Sequence, residues 1–399
     1  MLVCVPKRLI MMRGHSSVRN HRFMLKRFVL KIMIIALPFV CVFLLFADIA
    51  IKKGDANPPA LIVAQQQTNS DLVYMPTWTR ADQFYYKFRA VNQIQPDVLI
   101  IGSSRVYHWR SDIMFDEHGS GYNAGLPSAE PLEVAWFLDG LAAHNHLPDV
   151  MILAIDDLFF NQDGTFVRSN RVENVIPPLD YSFDYALNGI RLTAQDYSQH
   201  PQQILHFYRN YQPSNLSGEV ARSSGRGYRA DGSFQFPDLY DVSPQLIDNH
   251  QWLYDNGDRI FQHGDSIYEP SMAAIEHILQ LASENNVTVI GIFTPYNSEH
   301  YERMLSSGNY SYIPEVRRRI GLMFDNYGMP LYDYTYADTV GGSNEELYDY
   351  LHAGEVLGLR VYYDMLLTSP EIFAAYSNIS RIEQILNRVD NRFFLPREG

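Results

Sequence analysis

Asp97-Val98-Leu99-Ile100-Ile101 carries four apolar residues in a row and runs straight into Gly102-Ser103-Ser104-Arg105. A strand that is apolar at successive positions has no face to offer water, so it belongs inside a sheet covered on both sides. Gly102 then permits a sharp turn. The residues after it can open a helix, leaving a serine Oγ and a backbone N–H exposed at the strand's carboxyl end. Near the other end of the chain, Asp349-Tyr350-Leu351-His352 supplies a carboxylate and an imidazole three residues apart. A hydroxyl is a poor nucleophile at neutral pH and needs an adjacent base, itself held in one tautomer by a third group. Together the two segments make a candidate acyl-transfer site.

Beyond that first strand, over 97–102, strands and helices alternate. A helix is predicted over Ala129–Asn145, with Leu132, Trp136, Leu138 and Leu141 roughly on one face and Pro148 after its end. Val150–Ile155 is a second buried strand. Ser271–Asn285 reads as a helix capped by Ser271, and Val287–Phe293 as a third strand ending at Thr294-Pro295. Pro314 opens a further helix that stops before Gly328, and Leu331–Tyr334 is the last strand. The pattern predicts an α/β fold with a central parallel sheet and helices on both faces. Residues 158–268 lack long clean periodicity and are rich in Tyr, Phe, Asp, Asn and Gln. They read as an insertion that shapes one side of the site. Within it, Ser217–Ser233 holds four glycines with Arg222, Arg226 and Arg229, read as a mobile, solvated basic loop in preference to an anion-binding one.

The N-terminal segment sets the compartment. From Ile32 to Ala47 sixteen residues carry no charge, and the stretch from Phe28 to Ile51 numbers 24. At ~1.5 Å per residue it can cross a hydrocarbon core of about 30 Å, and Pro38 is tolerable in such a helix. Residues 1–31 hold eight of the 32 basic groups and none of the 45 acids. That basic flank predicts an N-terminus in the cytoplasm and an exported body. With no clear small-x-small cleavage site after the run, an uncleaved anchor is expected over a signal peptide. The domain reading is therefore a cytoplasmic tail over 1–27, a transmembrane anchor over 28–51, a polar stem over 52–73 and an α/β domain over 74–399. The remainder after residue 31 carries 24 basic against 45 acidic groups, a net of −21, which disfavours nucleic acid as a partner. Cys4 and Cys41 are the only cysteines and lie in the tail and the span, so the exported body has no disulfide and no thiol site. His144 and His146 lack an acidic third ligand, so no metal is expected, and nothing in the chain points to a cofactor.

The order Gly-x-Ser after the first strand, Asn123-Ala124-Gly125 before the next helix and a late Asp-x-x-His resembles the SGNH (GDSL-like) hydrolases. It looks closest to their membrane-anchored, extracytoplasmic branch, related to polysaccharide O-acetylation proteins and the D-alanyl transfer protein of teichoic acids. The resemblance covers most of 95–368, without the insertion. It implies a three-layer α/β/α sandwich of SGNH, flavodoxin-like type and a serine esterase or O-acyltransferase acting on acetyl or other acyl esters of a cell-envelope or secreted polysaccharide. The body would then lie in the periplasm or cell exterior, on the inner membrane. The implied partners are a glycan and a membrane-bound acyl-donor protein. Carried over by position, Ser104 is the nucleophile, His352 the base and Asp349 its orienting acid. The N–H groups of Ser104 and Gly125 would be oxyanion donors. The family's third block, Gly-x-Asn, is replaced here by Ala154-Ile155-Asp156-Asp157. An ionised carboxylate cannot donate a hydrogen bond, so Asp156 is protonated, turned to a partner such as Arg105, or a mark of altered chemistry. Asn123 or Asn161 would then have to supply the missing donor. The competing expectation is a catalytically altered scaffold protein that binds glycan or assembles a polysaccharide-modification complex.

Overall fold

The computed structural model describes residues 15–77, 80–116, 121–169, 182–236 and 251–395. Residues 1–14 of the predicted tail, and 170–181 and 237–250 of the predicted insertion, lie outside the described residues. In chain order the strands are β1 (Val73–Tyr74), β2 (Val98–Ile101), β3 (Gly121–Asn123), β4 (Val150–Ile155), β5 (Leu216–Ser217), β6 (Gly227–Tyr228), β7 (Phe234–Gln235), β8 (Thr288–Phe293) and β9 (Leu331–Asp333). Five of them form an all-parallel sheet in the order β3-β2-β4-β8-β9. Counting only these five, the order is second-first-third-fourth-fifth, one of the two common doubly wound arrangements. Its topological switch lies between β2 and β4, and both strands end there at their carboxyl edges.

Side chains alternate across a strand, and here both alternating sets are apolar. Leu99, Ile101, Met151, Leu153, Ile155 and Val289 pack into one core with residues of the helices Pro131–Ala143, Glu269–Glu284 and Ile313–Tyr327. Val98, Ile100, Val150, Ile152, Ile290 and Ile292 pack into another with Val356, Leu359, Tyr362 and Met365 of the helix Glu355–Thr368. The parallel sheet is therefore buried on both faces, as the apolar strands require.

The predicted strands fall within two residues of the observed ones. The helix predicted over 129–145 runs over Pro131–Ala143, opened by a Glu130/Glu133 capping box. The Pro314 helix spans Ile313–Tyr327 and ends on Gly328 at φ +64°, the left-handed cap that glycine favours. Ser271 is not a cap. The helix starts two residues earlier, at Glu269, with Pro270 in its first turn. Ser271 is buried inside it and donates to the Phe159 carbonyl at 2.9 Å.

Residues 52–73 are not a polar stem. The first helix runs unbroken over His15–Lys53, and a second, Pro59–Thr68, buries Ile62 and Val63 in the main core. Gln66 is buried beside them. Its amide donates to the carbonyls of Leu72 (3.1 Å) and Tyr228 (3.0 Å) and accepts from the Tyr86 hydroxyl at 2.6 Å. A run of glutamines reads as polar, yet one with every group bonded is at home in a core. β1 then pairs with β5 in parallel and β6 antiparallel, with β7 outside β6, so the segment before residue 74 and the insertion are knitted into one small sheet. The basic loop is likewise structured. Arg222 lies in the helix Glu219–Ser224 and donates to the carbonyls of Gln212 and Leu216, and Arg229 pairs with buried Glu355 at 2.7 Å. The first helix contains a 30-residue segment, Met24–Lys53, long and apolar enough to cross a membrane.

Candidate active site

At the end of β2, Gly102 passes directly over β4. Its φ is +156°, and a Cβ there would lie 2.7 Å from the Ala154 Cβ and 2.8 Å from its carbonyl oxygen. Gly102→Ala is therefore expected to destabilise the body by about 1–3 kcal/mol, seen as a lower urea midpoint. A Tm or midpoint equal to the parent's would show that the turn tolerates a Cβ. Immediately beyond, Ser103 caps the short 3₁₀ turn Ser104–Val106, its Oγ accepting from the Arg105 N–H at 3.3 Å. Ser104 is the first residue of that turn. Its own N–H is one of the donors that a helical start leaves without an internal partner.

Two hundred and forty-eight residues downstream, the His352 segment meets this turn. Ser104 Oγ lies 2.9 Å from His352 Nε2, and His352 Nδ1 lies 2.7 Å from Asp349 Oδ2. A carboxylate only accepts, so Nδ1 carries the proton and Nε2 presents its lone pair to the serine hydroxyl. Asp349 is buried, and its other oxygen, Oδ1, accepts from the N–H groups of Leu351 (2.7 Å) and His352 (2.8 Å). Tyr348 N–H donates to the His352 carbonyl and Asn297 N–H to that of Tyr350, fixing the loop from outside. Burial works to lower the His352 pKa. The Asp349 charge and hydrogen bond outweigh it, and the net displacement is upward from the ordinary value.

Arg105 ties the two segments together. It is 2 % exposed, and its fork donates to the carbonyls of Leu351 (3.3 Å), Thr294 (2.9 Å) and Pro295 (2.6 Å). Its guanidinium lies over the Tyr296 ring, 3.7 Å from the centroid, and its Nη1 is 3.5 Å from Asp156 Oδ1. Asp156 therefore has a counter-ion. The same carboxylate accepts from the Tyr296 hydroxyl at 3.1 Å, from Leu158 N–H at 3.3 Å and, at the outer limit of 3.5 Å, from Ser103 Oγ. Of the three expectations for Asp156, the structure shows the second: it is turned to Arg105. Arg105→Met leaves that buried carboxylate without its cation and three carbonyls without their donor. A loss of about 3–5 kcal/mol in urea unfolding is expected. Arg105→Lys keeps the charge but not the fork and should recover only part of it. No loss in either variant would remove Arg105 from this role.

Two expected oxyanion donors are corrected. Gly125 N–H donates to Asn123 Oδ1 at 2.8 Å, and the Asn123 amide donates to the carbonyls of Val106 (2.6 Å) and Trp109 (2.9 Å). Asparagine readily bonds the N–H two residues on, and Asn-Ala-Gly was the visible signal for that local turn. Asn161 is engaged too, donating to the Gln262 carbonyl and accepting from Asp163 N–H. What remains beside the nucleophile is the Ser104 N–H. Residues that sequence reasoning did not single out are Tyr296, which braces Asp156 and Arg105, and His108. Buried His108 has Nδ1 3.1 Å from the Phe234 carbonyl and packs edge-on to Tyr348. Burial, then the nearby His352 and Arg229, push its pKa down to about 3, so it stays neutral. No signal short of the fold places it there, except that it follows Ser104 by four residues.

Among the described residues no cluster of His, Cys, Asp and Glu could hold a metal ion. The Ser104–His352–Asp349 arrangement can activate a serine hydroxyl by general-base catalysis. No protein-family model matches the chain, and no curated protein matches it at a significant level.

Proposed function

We propose that this chain is an SGNH-like serine esterase or O-acyltransferase, held in a membrane by its first helix. The observation that carries the reading is the continuous relay from Ser104 through His352 to Asp349, at the carboxyl edge of a doubly wound sheet. The two apolar cores on opposite faces of the sheet support a three-layer α/β/α sandwich of that family's kind. In the proposed cycle, His352 Nε2 takes the Ser104 proton as Oγ attacks an acyl ester carbonyl. The imidazolium then returns the proton to the leaving alkoxide, leaving an acyl-serine. Water or a sugar hydroxyl, deprotonated by His352, attacks the acyl-serine and regenerates Ser104. The buried Asp349 stabilises the imidazolium at each stage. With the basic flank inside, the body faces the periplasm or cell exterior, where an envelope or secreted polysaccharide is the acceptor. The acyl group, acetyl in the simplest case, comes from a membrane-bound donor protein.

The engaged Gly125 N–H and the carboxylate at position 156 favour a second reading, a scaffold protein of the same fold that binds glycan without turnover. A serine-directed fluorophosphonate separates the two. Full-length protein in detergent should gain one adduct by mass, mapped to Ser104 and absent in Ser104→Ala. Failure to label Ser104 favours the scaffold. Preference for long-chain over acetyl esters would move the substrate from glycan to lipid.

A further inference from the structure

The body is docked on its first helix rather than hung from it. Ala47, Ile49 and Ala50 are buried and Leu45 and Phe46 half-buried, whereas large apolar side chains from Phe28 to Leu44 are exposed. Two helices cover that end. Ser182–Gln199 passes so close that a Cβ on Gly189 would collide with the Asp55 carbonyl, and the Lys53 ammonium sits 5.0 Å from the Tyr197 ring centroid. Gln202–Asn210 returns beside the first helix. Tyr211 OH donates to the Lys52 carbonyl at 3.2 Å, and Tyr208 OH to Asp48 Oδ2 at 2.7 Å. One turn back along this helix thus moves the contact about one turn down the first. Continued at the same pitch, a further turn would carry Leu205 toward the level of Leu44 and Leu45.

We infer that the hairpin of helices 182–210 is a foot set in the phospholipid headgroup layer, with Leu205 and Tyr208 reaching lipid. The inference rests on reading the first helix as a membrane span. Leu205 is 56 % and Tyr208 39 % exposed, and no residue of Gln202–Asn210 is buried. Exposed apolar side chains run from Met24 to Leu44, about 31 Å at ~1.5 Å per residue, which matches a hydrocarbon core of about 30 Å. Leu45 and Phe46 mark the body-side edge of that stretch, where the hydrocarbon gives way to headgroups. A tyrosine hydroxyl bonded to Asp48 suits the polar boundary, where aromatic rings with a wet end collect. Arg209, with no acid on the same helix, offers positive charge to anionic headgroups. Such a foot fixes the tilt of the body, and with it the direction in which Ser104 faces.

The test uses full-length protein in phosphatidylcholine–phosphatidylglycerol nanodiscs, with Cys4 and Cys41 replaced by serine. Single cysteines are introduced as Leu37→Cys, Leu205→Cys and Leu322→Cys, all at exposed positions, and carry nitroxides. Relaxation by oxygen and by a water-soluble nickel chelate is then compared. Labels at 37 and 205 should both show an oxygen-to-nickel ratio several-fold above that at 322. A lipid-like ratio at 37 with a water-like ratio at 205 overturns the foot and leaves the span standing. A water-like ratio at 37 overturns the span and the foot with it. Shielding of 205 from both reagents puts protein, not lipid, against the hairpin and overturns the assignment.

Discussion

Ser104→Ala is expected to lower turnover of an activated acetyl ester by roughly a thousand- to a millionfold, while urea unfolding moves by no more than about 0.5 kcal/mol. The rate effect is large because, among the described residues, no second hydroxyl stands at the imidazole to replace that of Ser104. Ser103 Oγ is turned away, capping the Arg105 N–H and facing Asp156, and among the described residues only Ser104 Oγ hydrogen-bonds the imidazole Nε2, at 2.9 Å. The stability effect is small because Ser104 is half-buried and its side chain makes that single bond. Initial rates of full-length parent and variant in detergent, with matched unfolding curves, give both quantities. Equal rates would assign the hydrolysis elsewhere and leave the scaffold reading in place.

Asp349→Asn should cost about ten-thousandfold in rate, for a reason the backbone dictates. Asp349 Oδ1 accepts from two backbone N–H groups, at 2.7 and 2.8 Å, and must stay an acceptor. The amide that replaces the carboxylate therefore turns its NH₂ toward His352 Nδ1. The imidazole then moves its proton to Nε2, where it can no longer accept from Ser104. The pH profile gives an independent check. His352 must be neutral to act as base, and its pKa is raised above the ordinary value near 6.5. Activity of the parent should therefore fall as pH drops through a value above that reference, and in the variant the limb should shift to lower pH. The stability term runs the other way. Protonated His352 favours the folded state, so this contribution is complete below the unfolded pKa and is lost as pH rises through the folded one. A rate within tenfold of the parent, or an unmoved limb, would refute the role given to Asp349.

Motifs were legible in proportion to how local their physics is. The strand ending in Gly102 could be read because apolar runs and glycine turns act over a few residues. Asp349 and His352 could be paired because their spacing already sets one loop. The polar network was only half legible: Arg105 was a named partner for Asp156, but Tyr296, which braces both, was not. Gly125 was assigned by position to the oxyanion, yet its N–H is taken by Asn123, two residues away. That competitor was in the sequence and was local, and position outweighed it wrongly. The segment 52–73 failed for the opposite reason. Its glutamines look solvated until Leu72 of the same segment and Tyr86 and Tyr228, brought in from two other places, satisfy Gln66.

By itself the sequence determined the α/β class, four of the five strands of the parallel sheet and the apolar N-terminal helix, and it offered the three residues of the candidate relay. The class, the strands and the helix follow from side-chain chemistry repeated at a fixed local period, whereas the relay residues follow from the resemblance of their ordered motifs. Only the tertiary structure decided that Ser104 and His352 stand 2.9 Å apart, that Asp156 faces Arg105, and that the body grips the end of its first helix. Those facts depend on which buried donors find which acceptors across hundreds of residues. Burial makes an unpaired polar group costly, and the folded chain alone settles the pairing.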